Sequence, residues 1–121
     1  MKSLDSDQLR GHLNTLVLAA LEQGEAHGLE IIHRLEARGA GALKLREGSL
    51  YPALYRLEDL GLVASRVEKQ AEGKRGAPRR IYRLTGKGKR ALGEGREQWR
   101  QFTQVLGGLI GVCCYGGLQW A

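Results

Sequence analysis

The strongest constraint on the fold of this chain comes from three short segments whose apolar residues recur at helical spacing. A glycine follows each of them. The three predicted helices are, in order, Ser6–Gln23, the segment that follows Gly28, and the segment that carries Leu50, Leu54, Leu57 and Leu60. Gly24, Gly39 and Gly61 end them, because glycine commonly closes a helix. Pro52 is compatible with the third helix only in its first turn, since proline lacks the N–H that the helix interior uses.

Two β-branched runs follow the third helix. Leu62–Val67 and Ile81–Leu84 alternate roughly between apolar and polar residues, which is typical of strands. The segment between them contains Gly73, Gly76 and Pro78 and predicts a long hairpin tip. Three short helices followed by a hairpin predict a winged helix-turn-helix, a mostly α fold with a small β-hairpin.

The positive charge of the chain is concentrated in this hairpin. The whole sequence carries a net charge of +6, and Arg66–Arg90 alone contains ten basic and two acidic residues. Such a cluster favours a polyanionic partner, double-stranded DNA in a fold of this kind. The alternative is a solvated surface without a partner.

A fourth helix is predicted after the hairpin, with Thr85 as its N-cap. Its apolar and small residues recur at alternating intervals of three and four: Leu92, Gly95, Trp99, Phe102, Leu106, Leu109 and Cys113. This heptad spacing predicts a seam against a second helix, which is the basis for expecting a homodimer. The alternative is that the seam packs only on its own domain. The expected organisation is a DNA-binding domain at residues 1–84, a dimerisation helix at 85–112 and an apolar, glycine-rich tail at 113–121.

Several classes of protein find no support in the sequence. A length of 121 residues predicts a single domain. The sequence has no apolar run long enough to span a bilayer and no signal segment. We therefore expect a cytoplasmic protein without membrane contact. Cys113 and Cys114 are adjacent and fit neither a disulfide nor a zinc site. Glu30 and His33 form a single pair at helical spacing, which is insufficient for a metal site. With no nucleophile elbow or phosphate loop, neither an enzyme nor a cofactor is expected.

The segments SLYPALYRLEDLGLV (49–63), GKRGAPRRIYRLTGKG (73–88) and HGLEII (27–32) together strongly resemble the PadR family of bacterial transcriptional regulators. The resemblance implies a dimeric repressor in which the last helix pairs with the first helix and with its own copy. It also implies release from the operator by small phenolic, aromatic or drug-like ligands.

Candidate DNA-binding residues lie in the third helix and the hairpin. With Leu50, Leu54 and Leu57 facing the core, Ser49, Pro52, Ala53 and Arg56 are expected on the opposite side of the third helix. They are Ser49, Tyr51, Pro52, Tyr55 and Arg56 in the helix, and Lys74, Arg75, Arg79 and Arg80 at the hairpin tip. The helix has one basic residue among several acidic ones, so its hydroxyl groups are expected to position or recognise bases. The hairpin cations are expected to supply the electrostatic attraction. The alternative for both tyrosines is packing against the predicted hairpin, which forms the wing of such a fold.

Candidate residues for the dimer interface or an effector pocket are Leu92, Gly95, Trp99, Phe102 and Leu106. Gly95 lies one turn before Trp99, which leaves space beside the indole for a partner helix or a flat ligand. The expected function is a sequence-specific, double-stranded DNA-binding repressor that a small ligand switches. The main alternative is a winged-helix dimer that binds ligands or proteins without specific DNA binding. An RNA-binding module is a third alternative, and the short strands lack the aromatic sheet face that it would use.

Overall fold

The computed structural model describes residue 9 and residues 11–40, 42–68 and 78–112. Within these ranges the chain forms four helices and one three-stranded antiparallel sheet, and the predicted winged helix-turn-helix class is confirmed. The elements are α1 (Leu13–Leu21), β1 (Ala26–His27), α2 (Gly28–Arg38), α3 (Glu47–Asp59), β2 (Val63–Glu68), β3 (Arg79–Leu84) and α4 (Gly86–Ile110). The first helix was predicted to run without a break from Ser6 to Gln23, and this was wrong. Ser6 lies outside the described residues, but Gly11 has a φ of 90° and forms a turn with His12, so α1 begins only at Leu13 and ends at Leu21.

A single apolar core joins the helices to the base of the sheet. Its most deeply buried large side chains come from every helix and from β2: Val17, Ile31, Leu50, Leu54, Leu57, Val63 and Leu92. Each such side chain contributes roughly 1.5–3 kcal/mol by leaving water. The leucine spacing of α3 therefore places one face of this helix in the core and leaves the opposite face to solvent.

The start of α3 differs from the prediction. The carbonyl of Arg46 accepts hydrogen bonds from the amides of Ser49 and Leu50, each at 3.0 Å, so the helix begins at Glu47. Pro52 consequently lies in the second turn, and its expected place in the first turn was wrong. Ala53 was expected on the exposed face and is instead buried, because it follows Leu50 by three residues and shares its side of the helix.

The sheet has one strand more than the sequence predicted. Strand β3 lies at its centre, between the hairpin partner β2 and the short strand β1. Strand β1 pairs Ala26 with Tyr82 and His27 with Ile81. Two residues are too few to display an alternating pattern, which explains why β1 was missed. Strand β3 also begins at Arg79 rather than at Ile81.

Helix α4 is anchored at both the sheet and α1. The Thr85 hydroxyl accepts a hydrogen bond from the amide of Gly88 at 3.0 Å, which confirms the predicted N-cap. A Cβ atom at Gly88 would lie 2.0 Å from the carbonyl oxygen of Leu62, so only glycine permits this approach. Further along, Arg96 donates to both carboxylate oxygens of Glu22 at 2.9 and 2.7 Å. In the described part of the chain, no helix is apolar over the length that crossing a membrane requires.

Candidate nucleic-acid interface

The solvent-facing side of α3 carries four of the five residues of this helix that were predicted to bind DNA. Tyr51, Pro52, Tyr55 and Arg56 are exposed at the three- and four-residue spacing of one helix face, and Tyr55 is 75% exposed. Ser49 is half-buried at the edge of this face. We call the side formed by Tyr51, Pro52, Tyr55 and Arg56 the α3 face.

Charge on the α3 face is nearly balanced. Arg56 is its basic residue, and the exposed acidic residues Glu47 and Asp59 lie at the two ends of the same helix. A surface of this kind attracts phosphates weakly by charge alone, and hydrogen-bonding side chains dominate it. This arrangement suits contacts to base edges better than bulk electrostatic attraction.

Tyr51 is held against the start of α2. A Cβ atom built at Gly28 would lie 2.5 Å from the Tyr51 hydroxyl oxygen and 2.7 Å from the adjacent ring carbon. The ring therefore lies directly over the backbone of Gly28, while Tyr51 remains partly exposed to solvent. Packing against the wing was the alternative interpretation of this tyrosine, and the structure shows that its ring packs on Gly28 of α2. The exposed part of the ring is still accessible to a ligand.

The basic hairpin lies beside the α3 face, and we call β2 and β3 together the wing. Arg79 and Arg80 are exposed in β3, opposite Glu68 and Val67 of β2. They lie on the strand, whereas the sequence placed them at the hairpin tip. Lys74 and Arg75 lie outside the described residues.

Arg66 contributes less free positive charge to the wing than the sequence suggests. Its guanidinium lies 2.5 Å from the Glu25 carboxylate and 3.6 Å from that of Glu68. The hydrogen bond with Glu25 raises the pKa of Arg66. Because two carboxylates offset the charge of Arg66, Arg79 and Arg80 are the more suitable wing cations for phosphates.

A polar bridge connects α3 to the wing, and of its three members Arg80 alone was among the residues predicted from the sequence. The Ser65 hydroxyl donates to a carboxylate oxygen of Glu58 and accepts from Nη1 of Arg80, the latter at 3.0 Å. Burial raises the pKa of the neighbouring Tyr82 phenol, while the Arg80 charge opposes that shift. Glu58 and Ser65 carry no signal in the sequence, because their contact joins two separate elements.

The residues of the predicted seam have different surroundings at different points along α4. Leu92 is buried in the core of its own chain, and Gly95 lies against Thr15 of α1, whose side chain would be 3.0 Å from an added Cβ. Trp99 and Phe102 are 51% and 52% exposed, and Leu106 is also exposed. The five candidate residues thus lie on one helix, but only the last three present open surface.

Aromatic side chains mark the point where the surroundings of α4 change. The Trp99 ring meets His12 edge-on, with ring centroids 5.1 Å apart, and stacks on Phe102 with centroids 5.9 Å apart. His12 was not singled out in the sequence, because it precedes α1 and lies far from Trp99 along the chain. The exposed apolar residues continue beyond Phe102 as Val105, Leu106, Leu109, Ile110 and Val112.

The described residues contain no candidate metal site. Across those residues no three His, Cys, Asp or Glu side chains come together in a way that could hold an ion. His27 instead accepts a hydrogen bond through Nδ1 from the amide of Glu30 at 3.3 Å and caps α2.

Comparisons with known proteins give a consistent result. The sequence model of the Transcriptional regulator PadR-like family matches residues 17–94. The transcriptional regulator Rv3488 of Mycobacterium tuberculosis is 34% identical over 93 residues, which is 76% of this chain and 80% of that protein.

Solved structures agree with the sequence comparison. A PadR family transcriptional regulator from Eggerthella lenta has a TM-score of 0.72 and 34% identity, and the match covers 86% of each chain. A transcriptional regulator from Clostridium thermocellum has a TM-score of 0.74 and 28% identity, with 84% of this chain and 95% of that chain covered.

Proposed function

This chain belongs to the PadR-like family of transcriptional regulators, and we propose that it is a homodimeric repressor that binds a specific double-stranded DNA operator. The observation that carries the proposal is the exposed α3 face, in which Arg56 is the one charged residue beside two tyrosines, on a helix that contacts the wing and its cations. The α3 face supplies groups that distinguish base pairs, and the wing supplies positive charge for the phosphates. A regulator needs both, and a catalytic role is not part of the family's function.

The first experiment is a selection of bound duplexes from a random-sequence library by the full chain. The enriched duplex and a scrambled duplex of the same composition are then titrated at several salt concentrations. A specific regulator binds the enriched duplex about 10³-fold or more tightly than the scrambled one. A ratio near one would favour the alternative, a winged-helix dimer that binds ligands or proteins instead.

Arg79→Gln tests the role of the wing. Loss of one phosphate contact should weaken both duplexes alike and reduce the salt slope by about 0.9 per contact.

Tyr51→Phe is the matched test of the α3 face, because it removes a hydroxyl without removing charge. It should weaken the enriched duplex more than the scrambled one, and equal losses on both would exclude Tyr51 from recognition.

The dimer is proposed on the exposed apolar residues at the end of α4. These are Trp99, Phe102, Val105, Leu106, Leu109, Ile110 and Val112. They are exposed at short intervals along the end of the chain that the structure describes, and monomeric proteins rarely expose a large apolar surface. The approach of a second copy across a two-fold axis would cover it. Sedimentation of the wild type at micromolar concentration should give a dimer, and a monomer at that concentration would overturn this part of the proposal.

Control by a small aromatic or drug-like ligand is proposed from the family together with the exposed Trp99–Phe102 pair. A flat ligand stacked on these rings would change the tryptophan emission, and binding at the dimer interface would alter the spacing of the two α3 faces. Titration of the dimer with a panel of flat aromatic compounds tests this, with Trp99→Ala as the control. If no compound changes both the emission and the affinity for the enriched duplex, the ligand-controlled part of the proposal is wrong.

A further inference from the structure

Arg79 and Arg80 are adjacent in sequence but project from opposite faces of the wing. In the hairpin Arg80 pairs with Val67, and Tyr82 pairs with Ser65. Side chains directly opposite each other share a face, and successive side chains alternate between faces. Arg80 therefore lies on the face that carries Ser65 and Tyr82, whereas Arg79 lies on the other face.

Only the face with Arg80 is connected to α3 through a hydrogen-bonded side chain among the residues described. Ser65 Oγ accepts from Arg80 Nη1 at 3.0 Å and donates its proton to Oε2 of Glu58. A hydroxyl has one proton to donate, so these two contacts fix its direction completely. Both ends of the bridge are charged, which strengthens each hydrogen bond.

The bridge does not remove Arg80 from solvent. Arg80 is exposed, while Ser65 and Glu58 are partly buried. A guanidinium has five N–H donors, and the contact with Ser65 engages one nitrogen of the three. The group can therefore keep its contact with Ser65 while it donates other hydrogens to a ligand beyond the wing.

We propose that Glu58 and Ser65 are positioning residues that hold Arg80 in fixed geometry relative to the α3 face, and so make Arg80 a determinant of DNA specificity. This inference rests on the DNA-binding function proposed above. A phosphate or base contact from Arg80 forms only when the duplex also fits the α3 face. Arg79, which lacks this connection, supplies charge to any duplex that reaches the wing.

The test compares the ratio of affinities for the enriched and scrambled duplexes in matched variants. Ser65→Ala should lower this ratio about two- to tenfold, the range expected for one net hydrogen bond. Ser65→Thr keeps the hydroxyl and suits a strand, so the ratio should stay near that of the wild type. Arg80→Gln should lower the ratio, whereas Arg79→Gln should weaken both duplexes and leave the ratio unchanged.

Glu58 is tested by a second pair of variants. Glu58→Gln retains an oxygen that can accept from Ser65, and Glu58→Ala does not. The ratio should fall more for Glu58→Ala than for Glu58→Gln. Thermal unfolding of each variant separates a loss of positioning from a loss of folded protein.

A double-mutant cycle decides whether the residues act through one another. In the Arg80→Gln background, Ser65→Ala should cause no further loss of the ratio. Additive losses, or equal losses for Ser65→Ala and Ser65→Thr, would overturn the positioning role while leaving the DNA-binding proposal intact. A wild-type ratio near one would overturn both.

Discussion

The two halves of α4 share one apolar spacing but have different surroundings. In the first half, Gly88 lies against Leu62 and against Leu84 of β3, Gly95 lies against Thr15 of α1, and Leu92 enters the core. In the second half, from Trp99 to Ile110, large apolar side chains face solvent within the chain. Small residues thus accompany close packing inside the domain, and large ones form the surface that our proposal assigns to a second copy.

This difference shows that a heptad pattern alone does not predict which surface a helix packs against. Alternating intervals of three and four place residues on one side of a helix, and they carry no information about what lies on that side. The position of glycines is more informative here. Gly88 and Gly95 occur where other elements of the same chain approach α4. This part of the seam therefore packs on its own chain and is not available to a partner.

The largest expected difference is between two leucines of the same seam. Leu92 is 1% exposed and Leu109 is 76% exposed. Leu92→Ala should lower the free energy of unfolding by about 2–5 kcal/mol, because it leaves a cavity in the core. Leu109→Ala should change the unfolding of the monomer by less than about 0.5 kcal/mol. Denaturant unfolding at low protein concentration measures both.

The same pair separates folding from association. Leu109→Ala should raise the dissociation constant of the dimer in sedimentation, because it removes apolar surface from the proposed interface. If Leu109→Ala destabilises the monomer as much as Leu92→Ala does, the second half of α4 packs on its own chain. The comparison between the halves would then be wrong.

A smaller difference is expected between two glycines of the first half. Gly88→Ala brings a methyl group to 2.0 Å from the Leu62 carbonyl oxygen, whereas an added Cβ at Gly93 meets nothing within 4 Å. Gly88→Ala should destabilise the fold by about 1–3 kcal/mol or more through forced displacement of α4. Gly93→Ala should stabilise it by up to about 1 kcal/mol, since alanine favours the helix.

Thermal unfolding of both glycine variants provides the measurement for this pair. Equal effects of the two substitutions would mean that α4 adjusts freely at its start. The close approach of Gly88 to the Leu62 carbonyl would then have no energetic consequence.

The smallest effect concerns the ion pair between the first half of α4 and α1. The hydrogen bond from Arg96 lowers the pKa of Glu22 below its usual value of 4.5. A lowered folded-state pKa stabilises the protein above pH 4.5, and this stabilisation is lost as the pH falls through the folded-state value. Both side chains are exposed, so salt should weaken the effect.

Glu22→Gln should therefore unfold at a slightly lower temperature than the wild type at pH 7, and the two should converge at acidic pH. Thermal unfolding across pH at low and high salt measures this. A difference that persists at acidic pH would show that the carboxylate charge is not what connects the two helices.

The sequence predicted the elements better than their contacts. The leucine spacing of α3 was sufficient to identify its buried side, because a helix buries residues at fixed intervals. Ala53 was assigned to the wrong side because its small apolar side chain carries little pattern of its own. The start of α3 was misplaced because Pro52 was treated as a boundary, although the backbone tolerates it in the second turn.

In the candidate site too, the positions of residues on one helix were predictable, and the contacts between elements were not. The spacing of Tyr51, Tyr55 and Arg56 was sufficient to predict a shared face. The contact of Tyr51 with Gly28 and the link from Glu58 to Ser65 join residues on separate elements, and no local pattern encodes such contacts. The opposite directions of Arg79 and Arg80 follow from alternation once the strand is known to begin at Arg79.

Strand β1 has a consequence for the order in which the protein folds. It pairs Ala26 with Tyr82, whereas β2 and β3 pair residues as close in sequence as Glu68 and Arg79. Closing the longer loop costs more chain entropy, so we expect the hairpin to form first and β1 to join late. Ala26→Gly should then mainly accelerate unfolding, and Val63→Ala should slow folding in stopped-flow measurements. The beginning of α2, which follows β1 directly, would be among the last parts of the DNA-binding domain to become fixed.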